Sequence, residues 1–233
     1  MKLSIVTAIW KRENLTRIFL KSVQRYWQDH GIHTVIAGSE GVHTREMCLD
    51  AGAGYIEVPN EPLSGKYNKA IMTAYANYNP DGFIVLGSDD FMNDEIINKY
   101  LSLIELGYDF AGFKDCYYYD AKKKQGYFWN GWTVSHRRGE SIGMGRLLSR
   151  NALTLLGGRP WSKGNRGLDW IMTQRLKKFK KLKRMTLSMK DNNYVLVDIK
   201  GFGSISSLGS YDLEPVDTLC FRSIPEFSEI LEL

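Results

Sequence analysis

The feature that most constrains the fold of this chain is a regular alternation of strand-like and helix-like segments over its first 107 residues. Four short apolar segments, at 3–10, 33–41, 54–60 and 83–88, have the composition of buried strands. Four segments with helical apolar spacing lie at 13–30, 43–53, 64–78 and 93–107. Such alternation predicts an α/β fold, with parallel strands joined by right-handed crossovers and helices on both faces of the sheet.

The second half of the chain departs from this alternation. Residues 109–121 and 127–135 are predicted as strands of a mixed extension, joined as a hairpin by the basic turn 122–126. Further along the chain, the pattern predicts a strand running into a short helix, then a long helix, then a last strand, at 146–158, 167–184 and 191–204. Because no repeat or low-complexity linker interrupts the chain, we expect one continuous domain over 1–233.

The net charge indicates the kind of partner, and the cysteine content indicates the redox state of the compartment. The net charge of +5 and the pI of about 9.0 favour an anionic partner. Three cysteines without CxxC spacing predict neither a disulfide framework nor a zinc site, and they favour a reducing compartment. The first apolar run is too short for a signal-peptide core, and no later run reaches the roughly 18–20 residues of a membrane span. We therefore expect a cytoplasmic protein.

Two adjacent carboxylates end the most apolar of the predicted strands, in the stretch FIVLGSDDFM at 83–92. In open α/β sheets, ligands bind beyond the carboxyl ends of the strands, so Asp89 and Asp90 are predicted to lie in the ligand crevice. A bound cation would neutralise them there. The alternative is that both aspartates cap the helix that begins near Asn93, where the helix dipole favours negative charge.

Four segments, in their order along the chain, carry a resemblance to a known family. They are SIVTAIWKRENL (4–15), SGKYNKAIMTA (64–74), FIVLGSDDFM (83–92), and GMGRLLSRNALTLLGG (143–158) followed by GLDWIMTQRL (167–176). Together they resemble the GT-A glycosyltransferases, most closely the family-2-like inverting enzymes with a DxD-type motif. The resemblance covers roughly residues 1–205. It implies a GT-A fold with a nucleotide-sugar-binding half at 1–107 and an acceptor-binding half at 108–233.

The resemblance implies transfer of a sugar, with inversion, from a nucleotide-diphosphate donor to an acceptor hydroxyl. A divalent metal, Mn²⁺ or Mg²⁺, would absorb the negative charge of the departing diphosphate. Carried over by motif, Asp90 is the metal ligand. The donor-binding residues implied are Thr7, Ala8, Trp10, Arg12, Lys66, Asn68, Ser88 and Asp89.

This chain departs from the family pattern at two points. Gly87 stands where the family often has an earlier aspartate, and no histidine follows His136, although many members have a late histidine ligand. These departures lead us to expect that the metal is held by one side chain and the donor phosphates.

Asp169 is the implied catalytic base, because an inverting transfer needs a carboxylate to take the proton of the acceptor hydroxyl. It follows the loop SKGNRG (162–167), which would suit a lid. The alternative is an N-cap role for Asp169. Trp129, Trp132 and Trp161 are acceptor-side candidates for stacking on a sugar or base, with core packing as the alternative.

The segment RLKKFKKLKR (175–184) holds seven cations in ten residues. It is predicted either as a solvated helix face or as a docking surface for a polyanionic acceptor, such as DNA with hydroxylated bases, an anionic lipid-linked saccharide or an anionic glycan. Two other functions stay open. One is a nucleotidyltransferase, although TAIWKREN lacks the expected glycines, and the other is a non-catalytic nucleotide- or nucleic-acid-binding protein. The absence of GxGxxG after the first strand argues against a dehydrogenase.

Overall fold

The computed structural model describes residues 1–191, 193–201 and 208–233. The strands are β1 Leu3–Ala8, β2 His33–Gly38, β3 Gly54–Glu57, β4 Gly82–Val85, β5 Asp90–Met92, β6 Phe110–Phe113, β7 Cys116–Asp120, β8 Gln125–Trp129, β9 Arg146–Ser149, β10 Arg184–Leu187, β11 Leu196–Lys200 and β12 Leu213–Val216. The α-helices are α1 Glu13–His30, α2 Val42–Asp50, α3 Leu63–Tyr78, α4 Asp94–Glu105, α5 Arg150–Leu155, α6 Leu168–Lys177 and α7 Phe227–Ile230.

The main sheet has seven strands in the order β10-β6-β9-β4-β1-β2-β3. Its first four strands in the chain, β1 to β4, run parallel to one another, as the alternating pattern predicted. β9 enters between β4 and β6 and runs antiparallel to both. The fold is therefore a mixed α/β sheet with helices, which confirms the predicted fold class.

The two faces of the main sheet bury two separate apolar cores. Consecutive residues of β1 point to opposite faces, so Ile5 belongs to one core and Val6 to the other. Helices α1 and α4 cover the first core, and α3, α5 and α6 cover the second. Burial on both faces explains why the predicted strand at 83–88 is apolar throughout.

A second sheet of five strands, in the order β12-β8-β7-β11-β5, carries the later part of the chain. The segment 109–121, predicted as one strand, is divided between β6 in the main sheet and β7 in the second sheet. Asp115 fixes the crossing point, because its buried carboxylate accepts bonds from Ser188 Oγ at 2.5 Å and from the Met189 N–H at 2.7 Å. β7 and β8 form the predicted hairpin.

The long helix predicted over 167–184 is wrong at its carboxyl end. α6 stops at Lys177, and the chain then turns and enters β10 beside β6. The Arg184 guanidinium donates to the carbonyl oxygens of Leu176 and Phe179, so a side chain satisfies groups that a further helical turn would have used. The basic segment 175–184 is therefore not a continuous helical face.

Three further differences concern strand limits and the end of the chain. β8 ends at Trp129 rather than at 135, because Gly131 has a φ of 91°, which a strand residue does not adopt. Within the predicted last strand, β11 covers Leu196–Lys200, and residues 202–204 lie outside the described residues. β12 and α7 follow it, and Phe221 and Phe227 pack in the first core.

Within the described ranges, none of the helices combines the length and apolar character needed to cross a membrane.

Candidate active site

The site lies where the strand order of the main sheet reverses. β2 and β3 lie on one side of β1, and β4 lies on the other. Loops leaving β1 and β4 diverge to opposite faces at such a point and leave a crevice for ligands. The β1 loop carries Trp10 and Arg12, and the β4 loop carries Ser88 and Asp89.

Three carboxylates converge in this crevice. Asp90 opens β5, and the antiparallel register places it opposite Asp198 of β11. One carboxylate oxygen from each of Asp89, Asp90 and Asp198 lies within 4.8 Å of the other two. Asp90 is only 4% exposed, and its Oδ2 accepts a bond from the Gly87 N–H at 2.7 Å. The cluster therefore lies at the floor of the crevice.

Burial and mutual repulsion perturb the cluster. Burial, followed by the charges of Asp198 and Asp89, raises the pKa of Asp90 well above its ordinary value. Burial raises the pKa of Asp198 to about 6, with Lys200 opposing the rise and Asp89 adding to it. Charged carboxylates held this close are unfavourable on their own, and a bound cation would relieve the repulsion.

Two side-chain cations partly neutralise the cluster. Arg12 donates to Asp89 Oδ2 at 2.6 Å, and Lys200 Nζ lies 2.5 Å from Asp198 Oδ2. Lys200 follows Asp198 by two residues, so both project from the same face of β11. Although burial lowers the pKa of Arg12 and of Lys200, their carboxylate partners raise it by more, and both cations stay charged.

Asp198 is the residue of the cluster that the sequence interpretation missed. Gly87 stands where the family often has an aspartate, and a Cβ at Gly87 would lie 2.8 Å from both Asp89 Oδ1 and Asp90 Oδ2. The arrangement therefore excludes a side chain at position 87, and the third carboxylate comes from β11 instead. The sequence feature that could have indicated Asp198 is the pair of charged residues, Asp198 and Lys200, in the otherwise apolar stretch YVLVDIK (194–200).

The capping alternative for Asp89 and Asp90 is wrong. Asn93 occupies the N-cap position of α4, and Asp90 belongs to β5. Three carboxylates, rather than the single side chain expected from the sequence, are placed to hold a cation. Asp198 Oδ1 is buried and has no hydrogen-bond partner among the described residues. An unpaired buried acceptor is costly, and hard cations such as Mg²⁺ and Mn²⁺ prefer carboxylate oxygens, so these residues fit a divalent metal.

The β1 loop is held in an unusual backbone conformation beside the cluster. Lys11 and Arg12 both have positive φ, 58° and 60°, which costs non-glycine residues roughly 1–3 kcal/mol each. Glu40 accepts a bond from the Lys11 N–H at 2.8 Å, and Arg12 also donates to Ser88 Oγ at 3.3 Å. These contacts keep the loop folded back on the crevice.

The other predicted donor-binding residues lie around this loop. Thr7 and Ala8 end β1, and Thr7 Oγ1 is buried without a hydrogen-bond partner among the described residues. Trp10 is 46% exposed, and the Lys11 ammonium group lies 4.3 Å from the centre of its ring. Lys66 is buried, and its Nζ donates to the Ile9 carbonyl at 2.8 Å and to Asn60 Oδ1 at 2.9 Å. Lys66 therefore fixes the chain at the end of β1.

Asp169, the candidate base, lies on the first turn of α6. Gly167 occupies the N-cap position, with φ at 65°, so the N-cap alternative for Asp169 is wrong. Arg137 donates to Asp169 Oδ2 at 2.5 Å, and buried Arg146 donates to the Asp169 carbonyl at 2.7 Å. Arg146 begins β9 opposite Val85, the last residue of β4. This register ties the start of α6 to the strand that leads into the acidic cluster.

The three acceptor-side tryptophans have different environments. Trp129 and Trp161 are buried, with Trp129 packed against Trp132 at 5.0 Å between ring centroids. Trp132 is half-buried and holds the Arg137 guanidinium 3.7 Å from its ring centre, next to Asp169. Asn68, predicted at the donor, exchanges hydrogen bonds with the Trp161 backbone instead.

The chain path is similar to those of several solved structures. One is TarS of S. aureus, with a TM-score of 0.58 and 14% sequence identity, covering 86% of this chain and 37% of TarS. A second is TarS 1–349 of S. aureus in complex with UDP, with a TM-score of 0.57 and 13% identity, covering 86% of this chain and 61% of that chain. A third is glucosyl-3-phosphoglycerate synthase from Mycobacterium tuberculosis in complex with Mg²⁺ and UDP, with a TM-score of 0.54 and 13% identity, covering 92% and 87%.

No protein-family model and no curated protein sequence matches the chain. Sequence identities this low establish the fold rather than the reaction, because one fold hosts many functions. The neighbours are family-2-like glycosyltransferases, and the cluster of three aspartates occupies the position of the predicted DxD-type motif. The chain therefore has the GT-A fold of the family-2-like glycosyltransferases, as its four sequence segments predicted.

Proposed function

We propose that this chain is a metal-assisted glycosyltransferase, which moves a sugar with inversion from a nucleoside-diphosphate donor to an acceptor hydroxyl. The observation that carries the proposal is the convergence of Asp89, Asp90 and Asp198 at the strand-order reversal. Two of the neighbours named above are complexes with UDP, one of them also with Mg²⁺, which supports a uridine-diphosphate sugar as the donor.

Asp90 and Asp198 would hold the metal, with Asp89 beside them. When bound, Mg²⁺ or Mn²⁺ supplies positive charge that offsets the charge developing on the leaving diphosphate. Arg12 lies on the Asp89 carboxylate and is the side chain of the β1 loop placed to contact a donor phosphate. Thr7, Ala8 and Trp10 would line the nucleoside pocket, and Lys66 shapes that pocket by holding the end of β1.

Asp169 would take the proton of the acceptor hydroxyl while the hydroxyl oxygen forms its bond to the anomeric carbon of the sugar. The bond between that carbon and the diphosphate breaks in the same displacement, so attack from the opposite face inverts the configuration. Arg146 fixes the Asp169 backbone, and Arg137 orients its carboxylate. Trp132, which packs against Arg137, would line the acceptor side of this base.

The two alternatives are less well supported. The neighbours are glycosyltransferases rather than nucleotidyltransferases. A protein that bound nucleotides without a metal would have no need for three crowded carboxylates, whose repulsion lowers its stability. DNA as the acceptor loses its main support because segment 175–184 is not a helical face. The cytoplasmic location expected from composition stays a prediction.

A calorimetric titration with UDP, with and without Mn²⁺, tests the proposal. We expect measurable UDP affinity that rises with Mn²⁺ in the wild-type chain, and no effect of Mn²⁺ in Asp90→Asn. Asp212→Asn is the matched control, because it removes the same charge at an exposed position. UDP affinity that is absent, or that does not depend on the metal, would contradict the proposal. A screen of UDP-sugars for donor hydrolysis then identifies the sugar.

A further inference from the structure

A second cavity lies beside the crevice, at the start of α3. It has a volume of about 440 Å³, and its walls come from the first turn of α3, from residues 159–163 and from α6. This volume is within the range of small-molecule pockets, roughly 300–1,000 Å³. Trp161 and Asn68 form one wall.

The charged residues that line this cavity are all positive. Arg159, Lys163 and Arg175 line it, and no carboxylate does. None of the three forms an ion pair with a carboxylate in the part of the chain that the structure describes, whereas Arg12 and Arg137 each pair with an aspartate of the site. Uncompensated cations around a concavity create a positive potential that attracts anions.

Hydrogen bonds within the protein hold the walls of the cavity in place. The Asn68 side chain donates to the Trp161 carbonyl at 2.8 Å and accepts from the Trp161 N–H at 3.3 Å. Ser64 Oγ accepts from the Gly164 N–H at 3.0 Å. The Arg175 guanidinium donates to the Leu156 carbonyl at 3.0 Å and also to the Arg159 carbonyl, so only its remaining N–H groups are left for a ligand. The cavity is therefore formed before any ligand binds, which lowers the cost of binding.

The loop 162–167 contributes to these walls, so the structure shows it bonded to the start of α3. The Asn165 side chain accepts from the Leu63 N–H at 2.7 Å, and the Ser64 N–H donates to the Gly164 carbonyl at 3.0 Å. Ser64, the second residue of α3, therefore bonds to this loop through both its backbone N–H and its side chain.

The cavity is one aromatic layer away from the acidic cluster. The Trp161 ring packs on the Tyr67 ring with 5.3 Å between centroids, and the Tyr67 hydroxyl donates to the Leu86 carbonyl at 3.4 Å. Leu86 immediately precedes the β4 loop that carries Asp89. On the other side, Lys163 is six residues before Asp169, and Arg175 lies on α6 itself. The cavity and the candidate base Asp169 therefore share the element α6.

We propose that this cavity binds a phosphate group carried by the acceptor, close to the hydroxyl that receives the sugar. The proposal rests on the proposed function, because it assigns the acceptor side of the same site. Phosphate is favoured over a carboxylate because two guanidinium groups and an ammonium group can share its several oxygens, and guanidinium groups pair with phosphate in bidentate geometry.

Titration with inorganic phosphate, followed by the ¹⁵N–¹H amide resonances of Ser162 and Gly164, tests the cavity directly. We expect saturable shifts of these resonances in the wild-type chain and at least tenfold weaker binding in Arg159→Gln/Lys163→Gln. Both side chains are exposed, so the double variant should fold normally. The matched control is Lys180→Gln/Lys181→Gln, which removes the same charge from exposed lysines outside the cavity and should bind phosphate as the wild type does.

Each of the other outcomes would refute a different claim: the phosphate site, its assignment to the acceptor, or the proposed function. No saturable shift in the wild type, or equal weakening in the control, overturns the cavity as a phosphate site. Loss of the phosphate response at saturating UDP and Mg²⁺, which is diamagnetic and leaves the amide resonances observable, would mean that the cavity binds the donor phosphates, and it overturns the acceptor assignment. A retained response with UDP present supports it. Failure of UDP to bind at all refutes the proposed function separately, because phosphate binding is read without turnover.

Discussion

Replacing Asp198 with asparagine should make the metal-free protein more stable at neutral pH, although it removes a residue of the site. Asp198 is half-buried beside Asp89 and opposite Asp90, with its Oδ1 atom fully buried, and its raised pKa means that the folded state resists its ionisation. Asparagine keeps the shape of the protonated aspartate and the hydrogen bonds to its neighbours. It therefore mimics the neutral form that the metal-free fold prefers.

The magnitude follows from the pKa. Folding raises the pKa of Asp198 from 3.8 to about 6, which corresponds to about 3 kcal/mol at about 1.4 kcal/mol per pH unit. Because folding raises this pKa, the protonated Asp198 carboxyl contributes its full stabilisation of the folded state below about pH 4. This contribution is lost as the pH rises through about 6. Asp90 shares the same proton equilibrium, and protonation of either relieves the repulsion. We therefore expect Asp198→Asn to raise the free energy of unfolding by about 1–3 kcal/mol above pH 6.

Urea unfolding in EDTA, followed by tryptophan fluorescence, measures this gain. The wild type, Asp198→Asn and the control Asp212→Asn are compared at about pH 7.5 and about pH 4. The gain should appear at the higher pH only. With Mn²⁺ and UDP the order should reverse, since only the wild type keeps the full cluster and a ligand stabilises the state that binds it. The electrostatic reasoning is refuted if Asp198→Asn is no more stable than the wild type at the higher pH. It is also refuted if the variant gains the same free energy of unfolding at both pH values.

Three other changes test separate parts of the site. Asp169→Asn should leave UDP affinity near the wild-type value and lower sugar transfer by about 10²–10⁴-fold, and a loss under tenfold in a transfer assay would remove Asp169 as the base. Gly87→Ala places a methyl group 2.8 Å from two carboxylate oxygens, so Mn²⁺-dependent UDP affinity should fall at least about tenfold in calorimetry; the control Gly209→Ala, in open space among the described residues, should not change it. Arg137→Gln breaks the ion pairs with Asp169 and Glu140 and should lower the free energy of unfolding by about 1–3 kcal/mol in urea, whereas the neighbouring Arg138→Gln should change it by less than about 0.5 kcal/mol.

Local sequence patterns were sufficient for the alternating elements of the first half of the fold, although they did not predict the short strand β5. β1 to β4 and α1 to α4 follow apolar spacing with clear turn residues between them, so each segment could be assigned from its own residues. The second half could not be assigned in this way. Residues 109–121 read as one strand, but Asp115 receives bonds from Ser188 and Met189, which lie far along the chain. The end of α6 likewise depends on where Arg184 finds its carbonyl partners.

The sequence by itself determined the strand-and-helix alternation, the crevice at the end of β4 and the two carboxylates that project into it. It determined these because periodicity and adjacency are local properties, visible in a few consecutive residues. Only the tertiary structure decided that Asp198 completes the cluster, that Arg137 and Arg146 hold Asp169, and that three cations surround a cavity beside Trp161. Each of these depends on strand register or packing between residues distant in the chain, and a single shift in register would turn Asp198 away from Asp90.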